Sequence, residues 1–516
     1  MIRRAAPAQR TLVVAAGVHT LDPRTAPGAR ALVLDGEQIA WVGQDPADAP
    51  PHDRAVDLGT AWVTPAFVDA HVHATATGLA AAGVDLGGCG TLAECLDRLA
   101  RHAAERTAGV IDAVGWDDFS WPQDSAPQAD DLARVAPGRT VLAVRVDAHS
   151  CVVDSATLAA LPLDRLGGVD RGCDGTPTGL LREQASEAAM AHVRRCRSAA
   201  ELARARDTAC RLAAALGISA LHEMGHPGLS GLDDALAWAV GAWPVDVLVW
   251  WADLDADAAI AAGLRPGGDL FLDGSIGSHT AAVEPSYLDT GGIGELFHRD
   301  DDVSAFFAAC TAAGRGGGVH AIGERAIAQA ARALAAVADR EGDQAVRACR
   351  HRVEHLELPS DDDLATLGRL GVVASVQPGF DAAWGGQEQL YARRLGPARA
   401  SAANPLADIA AHGLPLAFGS DSTVTPLDPW GAIHAAEHHL GGRGLTRAAA
   451  LAAHTLGGRF VAGEDAHVGA LRAGMRADLA VWDADPLAVD DVRDVACLAT
   501  LVRGRAAHGE VAGARR

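Results

Sequence analysis

The chain contains no lysine: all 44 of its basic residues are arginine. Schiff-base chemistry, a catalytic lysine amine and a metal bridge made by a carboxylated lysine are therefore excluded. Basic residues of any kind are outnumbered by 66 acidic ones, giving a formal charge of −22 over 516 residues. With no basic field to gather phosphates, neither a nucleic-acid partner nor an anionic membrane is expected. The nine cysteines include no C-x-x-C pair. That argues against a disulfide framework or zinc ribbon and for mostly buried thiols in a reducing, cytoplasmic compartment. Long hydrophobic runs are also missing. The early apolar stretch TLVVAAGV is too short to span a bilayer and is broken by the polar segment from His19 to Arg24. It reads as a β-strand rather than a signal peptide or an anchor.

What is present is ample core material, 49% of the residues being hydrophobic. Both ends carry short β-rich pieces: TLVVAAG, ALVLDGEQIAWVG and AWVTP within 11–64, and GALRAGMRADLAVWD, CLATLVRGR and AAHGEV within 468–511. Gly36 and Glu37 make a hairpin-like turn between alternating apolar strands. One small β-sandwich domain built from 1–64 and 466–516 is expected, with 65–465 inserted into it. That middle alternates apolar strands with alanine-rich helical stretches. The strands are expected at 65–73, 217–225, 245–251, 269–275, 317–323, 351–357, 371–378 and 414–421. Strand–helix units of this kind, with polar residues at the strand ends, predict an α/β fold, a distorted (β/α)₈ barrel. The long gap after the first strand is too large for a loop. Residues 74–216 are expected to form an α/β insertion over the top of the barrel.

Several strand ends carry metal-ligand residue types. The first ends in His71-Val72-His73, the fifth carries His320, the sixth His355, and the eighth ends in Asp421. Residues two apart on a strand face the same side, so His71 and His73 can reach one ion together. Imidazoles with a carboxylate suit zinc with a position left open for water, whose pKa the ion lowers. Asp421 could accept that water's proton and pass it to a leaving nitrogen. A lone histidine at a strand end is more often structural; the ordered set is what carries the expectation.

The text PAFVDAHVH, GWDDFSW, DAHSCVVDS, GTPTGLLRE, LHEMG, LFLDGSIGSHTAA, VHAIGERAI, RVEHLELP, SVQP, FGSDSTVTPLDPW and GMRADLAVWD resembles the amidohydrolase superfamily. It is most similar to amidohydrolase family 3, the YtcJ-like branch that includes N-substituted formamide deformylases. The resemblance covers nearly the whole chain. It implies a distorted TIM barrel with a composite β-sandwich, and a metal site at His71, His73, His320, His355 and Asp421. Many relatives bridge two metals with a carboxylated lysine at the end of strand four, and here that segment reads DLFLDGS. One zinc ion is the favoured expectation, with His355 free to act as an electrophile on the substrate carbonyl. A second ion requires a bridge other than lysine, from Glu223 or Asp273.

The substrate-facing candidates are His149, Glu223, Asp273, His279, Gln377, Trp116 and Trp384, the tryptophans (with Trp121) suggesting an apolar or aromatic substrate. His222 and Glu223 face opposite sides of their strand, so one of them at most faces the site. Glu324, four residues after His320, is a candidate proton shuttle if the enzyme is a deaminase; as a residue near a helix start its structural role is the favoured reading. The expected reaction is hydrolysis of a non-peptide C–N bond in a small-molecule amide or N-substituted formamide. Deamination of an aminated ring or amidine, and a non-catalytic scaffold, are the alternatives. A homodimer is the base-rate expectation.

Overall fold

The computed structural model describes residues 10–510 except 26, 107–108 and 123–125. The outermost parts of the expected terminal domain, 1–9 and 511–516, lie outside the described residues.

At the centre lie two four-stranded sheets in which every pairing is parallel. One contains Phe67–Val72, Ile218–Gly225, Asp246–Trp251 and Arg265–Pro266, adjacent in that order. The other contains Gly318–Ala321, Arg352–His355, Val373–Val376 and Leu416–Phe418, likewise in order. Most of these strands are buried along their whole length, as expected of parallel strands covered on both faces. Backbone bonds join the two sheets at both seams. Leu272 N–H donates to His320 O (3.0 Å) and His320 N–H to Leu270 O (2.9 Å). On the other side Asp421 N–H donates to His71 O (2.7 Å) and His73 N–H to Ser422 O (3.1 Å). Helices cover the outside. Glu324–Glu341, for example, buries Ala326, Ile327, Ala330, Leu334 and Val337 at helical spacing.

The fourth strand departs from expectation. A strand over 269–275 is predicted, but the strand is Arg265–Pro266, and Phe271 makes only a lone parallel bridge to His320. The reason is local. The Asp273 carboxylate takes the N–H groups of Ala282, Ile322 and Gly323 at 2.8–3.0 Å, so this stretch is tied by a side chain rather than by a ladder.

Between the first and second central strands, residues 84–182 supply a separate six-stranded sheet. Helices Leu92–Glu105 and Ala129–Val135 accompany it, with Leu96, Leu99 and Leu132 in its core. Helices Gln184–Arg195 and Ala199–Ala215 lead back to the second central strand. The two ends of the chain form two further sheets. Arg10–Val14, Ala31–Asp35, Gln38–Gly43 and Arg54–Asp57 make one. In the other, Trp62–Pro65 pairs antiparallel with Leu479–Trp482. The expected turn is present: Gly36, at φ 62°, connects the antiparallel strands Ala31–Asp35 and Gln38–Gly43. Both sheets contribute to one apolar cluster that includes Val13, Leu32, Val63 and Leu479.

Candidate metal centre and active site

Four imidazoles and two carboxylates converge at the C-terminal ends of the central strands. Each imidazole has one nitrogen committed outward and the other turned inward. His71 donates from Nδ1 to Glu354 (2.8 Å), His73 from Nδ1 to Met224 O (3.1 Å) and His355 from Nδ1 to the Gln377 side chain (2.8 Å). His320 is reversed: Nε2 faces Gly274 O at 3.4 Å, leaving Nδ1 inward. The inward nitrogens surround Asp269 and Asp421. His71 Nε2 and His73 Nε2 lie 3.5 and 3.3 Å from Asp421 Oδ1. Asp269 divides its two oxygens, Oδ2 lying 3.4 Å from His73 and Oδ1 lying 3.2 and 3.4 Å from His320 and His355. His71 Nε2 is 3.9 Å from that same Oδ1.

The local backbone is bent to achieve this. His355, Leu356 and Asp421 have φ of 68°, 49° and 51°, the left-handed region that costs a non-glycine residue about 1–3 kcal/mol. Burial raises the Asp269 pKa, but the surrounding imidazoles, His71 foremost, hold it well below the carboxylate range. Asp421 is also lowered: burial opposes ionisation, and His71 and His73 favour it. The charge is returned to the rings. Burial works against His73 and His355, yet the same two carboxylates raise His73, and His355 is raised to about 9.

Two inward atoms, His71 Nε2 and Asp421 Oδ1, are buried with no hydrogen-bond partner, an expensive state for polar groups that face each other. Three overlapping sets here have ligand atoms close enough to share an ion: His71, His355 and Asp421; His71, His73 and Asp269; and Asp269, His320 and His355. The donor set and the two unpartnered atoms fit a divalent cation.

The amidohydrolase family's sequence profile matches residues 54–508. The chain belongs to the amidohydrolase family. It is a hydrolase by class. It is 25% identical to the N-substituted formamide deformylase of Arthrobacter pascens, over 96% of this chain and 97% of that protein. It is 27% identical to Protein LONG AFTER FAR-RED 3 of Arabidopsis thaliana, over 83% of this chain and 80% of that one. Among solved structures it resembles an uncharacterized metal-dependent hydrolase from Pyrococcus furiosus. The TM-score is 0.71 at 25% identity, covering 93% of this chain and all of that one. The Pyrococcus horikoshii OT3 counterpart gives a TM-score of 0.73 at 22% identity, covering 93% and 99%.

In this amidohydrolase a chamber of about 60 Å³ opens over the imidazoles and is lined in part by His73, His149, His320, His355 and Asp421. His149 enters it from the 84–182 region, with Nδ1 bonded to Glu183 at 3.1 Å. Burial disfavours its charge, but Glu183 and Asp147 raise its pKa to about 10. Glu183 holds φ 44° and keeps Oε1 buried and unpartnered. Trp384 lines the same chamber through the ring sequence His355, Phe380, Trp384, with centroids 5.8 and 5.2 Å apart.

Other expected residues stand elsewhere. Trp116 is a correction: it is 1% exposed, donates to Ala143 O (3.0 Å) and packs in the core of the 84–182 sheet with Trp121. His279 is another, half-exposed and paired with Asp289 outside the chamber lining. Gln377 is turned to His355 and orients that ring instead of lining the chamber. Glu223 accepts the Ala74 N–H (2.6 Å) and Asp273 the three N–H groups above, so neither bridges the imidazoles. Burial raises Glu223 to about 8, with Asp234 adding to it, and raises Asp273 to about 7. His222 lies beneath the centre against Arg352 (3.2 Å). Glu324 opens its helix and pairs with Arg399 and the Glu284 N–H, away from the chamber.

Two residues at the centre escape the sequence reading. Asp269 opens the DLFLDGS segment; its signal is a lone acid beginning an apolar run. Glu354, between Val353 and His355, has the weaker signal of an acid inside a buried strand.

Proposed function

We propose that the chain is a zinc-dependent hydrolase of a non-peptide C–N bond in a small amide or N-substituted formamide. The observation that carries this is the inward convergence of four imidazoles on two carboxylates, each ring fixed by an outward bond. The likeness to the Arthrobacter formamide deformylase along nearly its full length supports the choice of bond. His71, His73 and Asp421 would hold one ion, and His320 and His355 a second. Asp269, with Oδ2 toward His73 and Oδ1 toward His320 and His355, would be shared between them in place of the absent lysine. When bound, divalent ions supply a Lewis acid for the carbonyl oxygen and a water activated for attack.

The protein's own groups do the rest. Asp421 accepts the attacking water's proton at its carboxylate and returns it to the departing nitrogen. Glu354 holds His71 with its proton on Nδ1, and Gln377 does the same for His355. His149, backed by Glu183, faces the substrate beside His320, the two ring centroids 5.7 Å apart. The pairing of Glu324 with Arg399 speaks against a deaminase that uses Glu324 as its shuttle.

The same reading takes the two parallel sheets as a distorted (β/α)₈ barrel spanning 65–465, with 74–216 as its insertion. The terminal sheets, 1–64 and 466–516, then form a composite β-sandwich. It also takes the enzyme as cytoplasmic. Nine unpaired cysteines support that, and among the described residues no helix is long and apolar enough to cross a membrane. Asp421→Asn should lower kcat on N-substituted formamides by at least about 10²-fold, the lower range for a general base, while leaving the unfolding transition cooperative. Full turnover by that variant would overturn the mechanism.

A further inference from the structure

A second cavity, of about 140 Å³, adjoins the chamber and shares His73, Ala148 and Leu229 with it. Its floor is one face of the insertion sheet. In the parallel pair Ile111–Trp116 and Val141–Arg145, Val114 lies opposite Val144 and Asp112 opposite Leu142, so these four side chains share a face. Helix Gln184–Arg195 contributes Met190 and Val193 as one wall, and helix Ala74–Ala80 contributes Leu79 and Ala76 as the other.

The charged groups at its margin are all engaged by neighbours. Asp112 forms a two-pronged ion pair with Arg197. Asp234 pairs with Arg206 and accepts from Thr75 (2.7 Å). Arg194 reaches Asp233 (2.5 Å), and Glu223 holds the Ala74 N–H. Each charged side chain here thus has a partner, with Arg194 Nε left as an unpaired donor, while carbon surface lines most of the interior. A cavity of roughly 150 Å³ with an apolar lining is large enough to bind benzene.

We propose that this side cavity binds an uncharged, ring-sized apolar substituent of the substrate and seats it beside the bond that is cut. The role in catalysis rests on the amide-hydrolase reading; the affinity for an apolar ring does not. On this assignment the substrate is a small acyl group, which the chamber accommodates, joined through nitrogen to one ring-sized hydrocarbon. Groups much larger than one ring, or charged, are refused.

Two substitutions fill the cavity from different sides. Val144→Phe extends a partly exposed strand residue into it, and Ala76→Leu does so from an exposed helix position. If Val144→Phe fails to fold, Ala76→Leu still tests the site. Toluene, titrated by calorimetry, should bind the wild type saturably and each variant at least about 10-fold more weakly, the size of effect expected when an apolar pocket loses its room. On the zinc-loaded enzyme, the KM for N-cyclohexylformamide should rise at least about 10-fold in each folded variant. Turnover of N-methylformamide should stay within about twofold, because a methyl group does not reach the cavity. No toluene binding by the wild type, or equal binding by both variants, overturns the site. Equal losses on both formamides overturn its role in specificity. Toluene binding as expected with neither formamide cleaved supports the apolar site and overturns the amide-hydrolase reading instead.

Discussion

Glu354 has two tasks that can be separated by measurement. It fixes His71 from behind, accepting its Nδ1–H at 2.8 Å, and it neutralises Arg352. Both Arg352 and Glu354 have no exposed surface. Arg352 also donates to Ala70 O and Ser375 Oγ, each at 2.6 Å, and lies 4.6 Å over the Trp250 ring. Removing one charge of a sealed pair costs about 3–5 kcal/mol, because the survivor stays buried without compensation. Loss of a carboxylate behind a ligating histidine typically weakens metal binding by about 10–100-fold. Glu354→Gln retains a hydrogen-bond acceptor, so the lower end, about 10-fold, applies to metal affinity. The stability loss should show at its full size in metal-free protein. Replacing both partners, Arg352→Met with Glu354→Gln, should recover part of the stability, since no unpaired charge then stays buried, although Ala70 O and Ser375 Oγ lose their donor. Zinc affinity should stay low in the double variant. Denaturant unfolding with a chelator present reads the first quantity, and competition with a chromophoric chelator reads the second. A single variant as stable as wild type, or a double variant with wild-type zinc affinity, would refute the separation.

Further expectations concern groups away from the centre. His351 accepts the Gly317 N–H (3.0 Å) and faces Thr311 Oγ1 (3.0 Å), and burial lowers its pKa to about 4. The unfolded chain, with an ordinary histidine near 6.5, takes up this proton first. Stability is therefore full above about pH 6.5 and falls as pH drops towards 4, by about 1.4 kcal/mol per pH unit. Denaturant unfolding of His351→Gln between pH 7 and 4 should show a slope shallower by that amount. Trp116→Phe should lower stability by about 1–2 kcal/mol through the lost bond and volume, with KM unchanged. Glu324→Gln should be near-silent in turnover assays.

The periodicity of the central strands is readable because they are buried on both faces and contain little but apolar residues between polar ends. The same logic brings together His71, His73, His320, His355 and Asp421, which all stand at strand ends. Position 269 is harder to read, since its role depends on a segment that is not a regular strand. The Asp273 carboxylate there captures backbone N–H groups, and no strand-end rule locates its neighbours. A carboxylate used in this way looks identical in sequence to a bridging one, which is why Asp273 and Glu223 are named and Asp269 is passed over. Trp116 misleads for a related reason. A tryptophan beside turn residues reads as a loop aromatic, but it ends a buried strand whose partner, Val141–Arg145, lies well separated along the chain.

The central claim, that Asp269 completes a shared metal site, is tested most directly by counting metal ions per chain after zinc loading and removal of excess. The wild type should hold two, and Asp269→Asn one or fewer while remaining folded. A wild type that holds none, or an Asp269→Asn protein with the same content as the wild type, would contradict it.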